Sequence, residues 1–182
     1  MPRLFVAIDL PEETKDQILG LREDDLPPGR WAGREALHLT LHFIGETPEK
    51  QARRYMQALQ RVDLPDFALQ IGGVGQFPVD DRPRVIWVGV RNTSALRALH
   101  EAAGRALQNQ GFRQEQRRFH PHITLMRFKK PLRRGLASRW LQAHLDFHIE
   151  SFSVREFALY ESQLRPGGAV YTKRGVYALA TP

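Results

Sequence analysis

Apolar positions along this chain recur at two periods, and the periods take turns. Residues 3–9 (Arg3-Leu4-Phe5-Val6-Ala7-Ile8-Asp9) form a β-rich run. Pro11 then opens a helix, since its missing N–H costs little at the first helical position. Residues 37–44 alternate strictly: Leu37, Leu39, Leu41 and Phe43 fall on one face, His38, Thr40 and His42 on the other. Thr47-Pro48 reads as an N-cap followed by a helix-opening proline. Ala52, Tyr55, Met56 and Leu59 continue at helical spacing, so residues 48–60 form an amphipathic helix. Residues 66–76 alternate again as a strand.

The second half repeats this order. Residues 84–90 are an apolar strand, and Leu96, Leu99, Ala103 and Leu107 mark a helix over 93–109. Residues 119–127 alternate: Phe119, Pro121, Ile123 and Leu125 oppose His120, His122 and Thr124. A weaker helical pattern covers about 132–144, and 149–162 is strand-like. Arg165-Pro166-Gly167-Gly168 is a turn, and 169–180 returns as a closing strand.

The matching signals lie 81, 84 and 80 residues apart for the first strand, the motif strand and the third strand. This is one supersecondary unit duplicated, about 3–77 and 84–160, plus a closing strand at about 169–180. The pattern predicts a single α+β domain over 1–182. Its two pseudo-symmetric lobes are each an antiparallel sheet with packed helices, around a central cleft.

In both motif strands the apolar face belongs to the core, because exposing a large apolar side chain forfeits roughly 1.5–3 kcal/mol. The polar faces then look into solvent or the cleft, and they carry four of the seven histidines: His38, His42, His120 and His122. Phe43, Phe119 and Trp31 have faces suited to stacking on a base. Strand parity assigns Phe43 and Phe119 to the core instead.

Composition narrows the chemistry. The chain has 182 residues and no cysteine, so disulfides, thiolate nucleophiles and cysteine-ligated metals are excluded. No apolar run approaches the length of a membrane span, and Asp9 comes too early for a signal-peptide core, so a cytoplasmic protein is expected. A formal charge of +7, from 27 Lys plus Arg against 20 Asp plus Glu, suits a polyanionic partner such as RNA and serves solubility equally well.

Two neutral-range imidazoles can hold opposite protonation states, one as general base and one as general acid. Two hydroxyls, Thr40 and Thr124, can hold the non-bridging oxygens of a phosphodiester while charge builds on them. The rival reading is a zinc site made of His38, His42, His120 and His122. Against it, neither strand offers a carboxylate in register, and the threonines would have no role.

Leu37-His38-Leu39-Thr40-Leu41-His42-Phe43-Ile44-Gly45 and Phe119-His120-Pro121-His122-Ile123-Thr124-Leu125-Met126-Arg127 resemble the paired motifs of the two-histidine phosphoesterase superfamily. Within it the chain is most similar to bacterial RNA 2′,3′-cyclic phosphodiesterases, historically called 2′-5′ RNA ligases. The opening Arg3–Pro11, the segment Leu159-Tyr160-Glu161-Ser162 and the segment Gly167-Gly168-Ala169-Val170-Tyr171-Thr172 are similar too. The resemblance implies a bilobal fold and hydrolysis of a terminal 2′,3′-cyclic phosphate to a 2′-phosphate, with no metal and no cofactor. It also implies a weak reverse reaction that makes a 2′-5′ linkage. It makes His38 the proton donor and His122 the acceptor, with Arg127 as a phosphate contact. Strict alternation puts Arg127 opposite His122, so the strand must bend or end there. His42, His120, Arg165 and Tyr171 are candidate substrate contacts. The expected partner is RNA with a cyclic phosphate end, met by a monomer away from membranes. The alternatives are a hydrolase of a small cyclic phosphate (a cyclic nucleotide or an ADP-ribose cyclic phosphate), an RNA-end-binding module without turnover, and a metal-dependent hydrolase.

Overall fold

The β-rich runs pair into two sheets, described here from a computed structural model. The described residues are 1–22, 29–79, 82–91, 93–114, 118–133, 135–166 and 168–181. The strands are β1 (Arg3–Asp9), β2 (Arg30–Trp31), β3 (His38–Glu46), β4 (Phe67–Phe77), β5 (Val85–Val90), β6 (His122–Arg127), β7 (His148–Val154), β8 (Glu156–Arg165) and β9 (Gly168–Ala178). The helices are α1 (Glu12–Leu19), α2 (Glu49–Leu59), α3 (Ser94–Gln108) and α4 (Ser138–Ala143). Sheet A has the order β3-β1-β8-β9, and sheet B the order β2-β6-β5-β4-β7. Every ladder between these strands is antiparallel, which agrees with the expected α+β class.

One core serves both sheets. Leu4, Val6 and Ile8 of β1, Leu39 of β3, Ile86 and Val88 of β5 and Ile123 of β6 are buried in a single apolar cluster. Leu96, Leu99, Ala103 and Leu107 fill it from α3, as their spacing requires. Thr93 caps that helix by accepting a hydrogen bond from the Leu96 amide at 3.2 Å. A second, smaller cluster of Phe5, Ala7, Ala158 and Tyr160 lies on the other face of sheet A. β1 is therefore apolar on both sides, which is why its sequence does not alternate.

Three details differ from the sequence expectation. The run 149–162 is two strands, split at Arg155: β7 joins sheet B and β8 joins sheet A. β4 and β7, taken from sequence as equivalents, are paired neighbours in sheet B. The equivalence by position is β4 with β8, since β4 pairs with β5 and β8 pairs with β1. Thr47 does not cap α2; its hydroxyl donates to the Gly45 carbonyl at 3.0 Å, and Pro48 occupies the cap position. In the closing turn Gly167 lies outside the described residues, and the β8–β9 ladder reaches the Arg165–Gly168 pair.

Candidate active site

One bulge recurs at the same place in both motif strands, and β3 carries a second at Ile44. In β3, Thr40 opposes Ala7 while His42 opposes the next residue, Val6, so Leu41 is an extra residue on its strand. In β6, Thr124 opposes Trp87 while Met126 opposes Ile86, so Leu125 is likewise extra. A bulge of this kind reverses the parity of everything after it. Before the bulge the alternation holds. His38 and Thr40 share the face of Phe5 and Ala7, and His122 and Thr124 share the face of Gly89 and Trp87. After it, Arg127 returns to the His122 side, and its Nη2 comes within 3.4 Å of the Thr124 hydroxyl. β3 and β6 are in contact with each other across the two sheets.

The surroundings of the two imidazoles differ. His38 stacks on Phe5 with 4.8 Å between ring centroids, and Tyr171 meets it edge-on at 5.3 Å. Burial pushes its pKa down to about 4; Asp9 and a hydrogen bond to the Glu35 carbonyl oppose this, while the charges of Lys15 and Arg127 add to it. An effect of Arg127 on His38 is an effect of one half-site on the other. Asp9 itself is raised by burial, but hydrogen bonds from Lys173 and Lys15 outweigh that and hold it below the usual carboxylate range. Both ammonium groups lie 3.0 Å from it.

His122 is framed instead by Phe77, edge-on at 4.9 Å, and Trp87 at 6.2 Å. Its Nδ1 lies 2.8 Å from the His120 carbonyl. A carbonyl only accepts, so Nδ1 carries the proton and Nε2 of the neutral ring carries the lone pair.

A family model described as the 2′-5′ RNA ligase superfamily matches residues 10–165. The chain belongs to that superfamily. An RNA 2′,3′-cyclic phosphodiesterase of Thermotoga maritima is 36% identical over 176 residues, covering 93% of this chain and 91% of the relative. One of Escherichia coli is 36% identical over 183 residues, covering 97% and 96%. The crystal structure of E. coli LigT complexed with 3′-AMP superposes with a TM-score of 0.78 at 33% identity, covering 99% of both chains.

Within this superfamily fold most of the predicted site residues come together. His38 and Thr40 share one face of β3, His122, Thr124 and Arg127 share one face of β6, and Tyr171 packs on His38. His120 flanks His122, with its ring 5.0 Å from that of Trp87. His42 is the clear exception. The bulge turns it into the interior, where it is 4% exposed and stacks on His100, and its Nε2 bonds the His100 carbonyl at 2.7 Å. The four-histidine zinc arrangement is therefore not assembled, and among the described residues no group of three His, Asp or Glu is placed to hold an ion. Arg165 sits at the tip of the β8–β9 hairpin, where its guanidinium donates to Gln163 at 3.3 Å.

The bulge also corrects Phe43, which parity had assigned to the core. It is 51% exposed on the Phe5 side of sheet A, at the position that corresponds to Arg127, with the Arg3 guanidinium 5.5 Å from its ring. Trp31 packs against the core from β2, and Phe119 is half-buried against His100. Sequence reasoning missed Trp87, Phe77 and Asp9. Trp87 and Asp9 sit opposite Thr124 and His38 in the pairing register, a relation no single strand reveals.

Proposed function

We propose that this protein hydrolyses the 2′,3′-cyclic phosphate at the end of an RNA to a 2′-phosphate, as a cytoplasmic monomer and without a metal. His122 Nε2 takes a proton from the attacking water. His38 gives one to the departing 3′ oxygen. The Thr40 and Thr124 hydroxyls donate to the non-bridging oxygens, and Arg127 balances the charge that builds on them. The five-membered ring supplies the driving force through its strain. The observation that supports this reading is a matched pair of His-x-Thr faces on two strands in contact, one of which holds its imidazole in the base tautomer. The names of the relatives point the same way.

A histidine pushed down to about 4 carries no proton to donate at neutral pH until a negative charge arrives. One unit of negative charge about 4 Å away contributes roughly 4 kcal/mol at an effective dielectric of 20, and one pKa unit is about 1.4 kcal/mol. The substrate phosphate is thus sufficient to bring the His38 pKa to about 7. With the anion bound, His38 takes up a proton from solvent. The Phe43 ring, exposed on the same side, is positioned to stack on the terminal base.

The test is a 5′-labelled oligoribonucleotide ending in a 2′,3′-cyclic phosphate, incubated with the protein in EDTA. Full conversion to the 2′-phosphate is expected. A 3′-phosphate product would reverse the assignment of the leaving oxygen, and loss of turnover on chelation would overturn the metal-free mechanism.

A further inference from the structure

The ladders beside the two motif histidines differ at an equivalent position. In sheet A, Asp9 lies opposite His38, two residues beyond Ala7, which lies opposite Thr40. Asp9 therefore shares the face of Phe5, Ala7, His38 and Thr40. In sheet B, Gly89 lies opposite His122, two residues beyond Trp87, which lies opposite Thr124. That position is closed to a side chain: a methyl group on Gly89 would stand 2.5 Å from the Gly72 carbonyl oxygen. One half of the duplicated unit thus places a carboxylate beside its histidine, and the other half packs backbone there.

The carboxylate is held from several elements at once. Lys15 Nζ of α1 and Lys173 Nζ of β9 each lie 3.0 Å from it, and the Tyr160 hydroxyl hydrogen-bonds it from β8. The Leu10 amide donates to its Oδ1 at 3.0 Å. Lys15 is buried and shares its ammonium with Glu12, and Lys173 also approaches Glu156 at 3.8 Å. The Tyr160 ring in turn stacks on Phe5 at 5.2 Å, and Phe5 stacks on His38 at 4.8 Å. Carboxylate, phenol and imidazole form one packed group. The charges that act on His38 come from Asp9 on β1, Lys15 on α1 and Arg127 on β6. The Glu35 carbonyl and the rings of Phe5, Tyr160 and Tyr171 complete its surroundings. Among these charges Asp9 supplies the negative one.

An imidazole donates a proton only when it holds one, and a fixed carboxylate across the ladder favours the charged ring. We infer that Asp9 is a positioning residue of the reaction: it presents a fixed negative charge to His38, its equivalent presents none to His122, and this assigns the proton donor between two similar halves. The inference rests on the proposed function, in which His38 is the donor. Asp9 acts through His38. Lys15 and Lys173 set the strength of the effect, because each neutralises part of the Asp9 charge.

The experiment measures the single-turnover rate on an oligoribonucleotide ending in a 2′,3′-cyclic phosphate. Wild type, Asp9→Asn and Lys173→Met are compared at about pH 5.5 and about pH 8.5, below and above the working range of the acid. Asp9→Asn keeps the shape and loses the charge, so His38 gives up its proton at a lower pH. Its rate is expected to fall about tenfold at the higher pH and to stay close to wild type at the lower. Lys173→Met releases the Asp9 charge, so its rate at the higher pH is expected to rise by about threefold. A carboxylate that served only the packing of β1 would slow the reaction by the same factor at both pH values, and that result overturns the inference. So does an unchanged rate in Asp9→Asn, or a change of the same sign in both variants at the higher pH. If Asp9→Asn does not fold, Lys173→Met decides alone, and an unchanged or lower rate at the higher pH overturns the inference. An Asp9→Asn variant that is faster at the lower pH and unchanged at the higher would make His38 the proton acceptor, which overturns the inference together with the proposed order of roles. A wild type inactive at both pH values is a different result: it removes the proposed function, and the role of Asp9 with it.

Discussion

His38 is built to lack a proton until an anion sits beside it. The ring is stacked on Phe5, covered by Tyr171, and pushed down to about 4 by burial. Binding of adenosine 2′-monophosphate, which carries the product's phosphate, is expected to raise the His38 pKa by about two units or more. Titration of its imidazole carbons by NMR, with and without the ligand, measures this directly. An unmoved His38 would mean that the phosphate does not sit against it. His38→Ala and His122→Ala should each lower kcat by about 10²–10⁴, the usual worth of a general acid or base. Thermal unfolding should stay close to wild type, since both imidazoles are half-buried on the cleft face and neither belongs to the core.

At the level of elements, the face shared by each His-x-Thr pair was legible because three residues of a strand suffice to define it. The positions immediately C-terminal to each pair were not. The extra Leu41 and Leu125 look like ordinary apolar positions, and only the partner strand reveals that they are surplus. The same bulge sends His42 inward, Phe43 outward and Arg127 back to the cleft. Arg127 lies on the face that the family resemblance requires and strict alternation denies it. The fate of the run 149–162 was hidden for a related reason: a strand that changes sheets keeps its β-rich composition while its partners change. Phe43→Ala should raise KM for a cyclic-phosphate RNA several-fold with little change in kcat, because base stacking is worth about 1–3 kcal/mol of binding. Steady-state kinetics on one RNA will separate the two constants. In α3, a methyl group on Gly104 would lie 3.0 Å from His42 Cε1, and that ring is held by its stack on His100 and a hydrogen bond. Gly104→Ala should therefore lower the melting temperature, although alanine gains about 1 kcal/mol of helix propensity.

Across the whole molecule, three histidines oppose folding in acid. Burial lowers His38 and His100 to about 4, with the charge of His42 adding at His100, and it lowers His42 as well, against its bond to the His100 carbonyl. The unfolded chain takes up these protons near pH 6.5, while the native state resists them at all three sites, at His38 and His100 until about pH 4. Stability is thus complete above pH 6.5 and falls as the pH drops towards 4, by at most about 1.4 kcal/mol per pH unit for each such group. Melting curves from about pH 7.5 to 4 should show this slope, and His100→Gln should flatten it. The exchange of third strands between the halves has a consequence for biosynthesis. β1 waits for β8, and β5 takes β4 from the half before it. A nascent chain that has emerged only as far as β4 holds neither sheet complete. His38 and Thr40 are already paired with β1 at that point, yet β6, which carries the second pair, and β8, which completes the sheet behind them, are still to be made. The catalytic cleft is therefore among the last things this polypeptide makes, and no partial translation product can carry it.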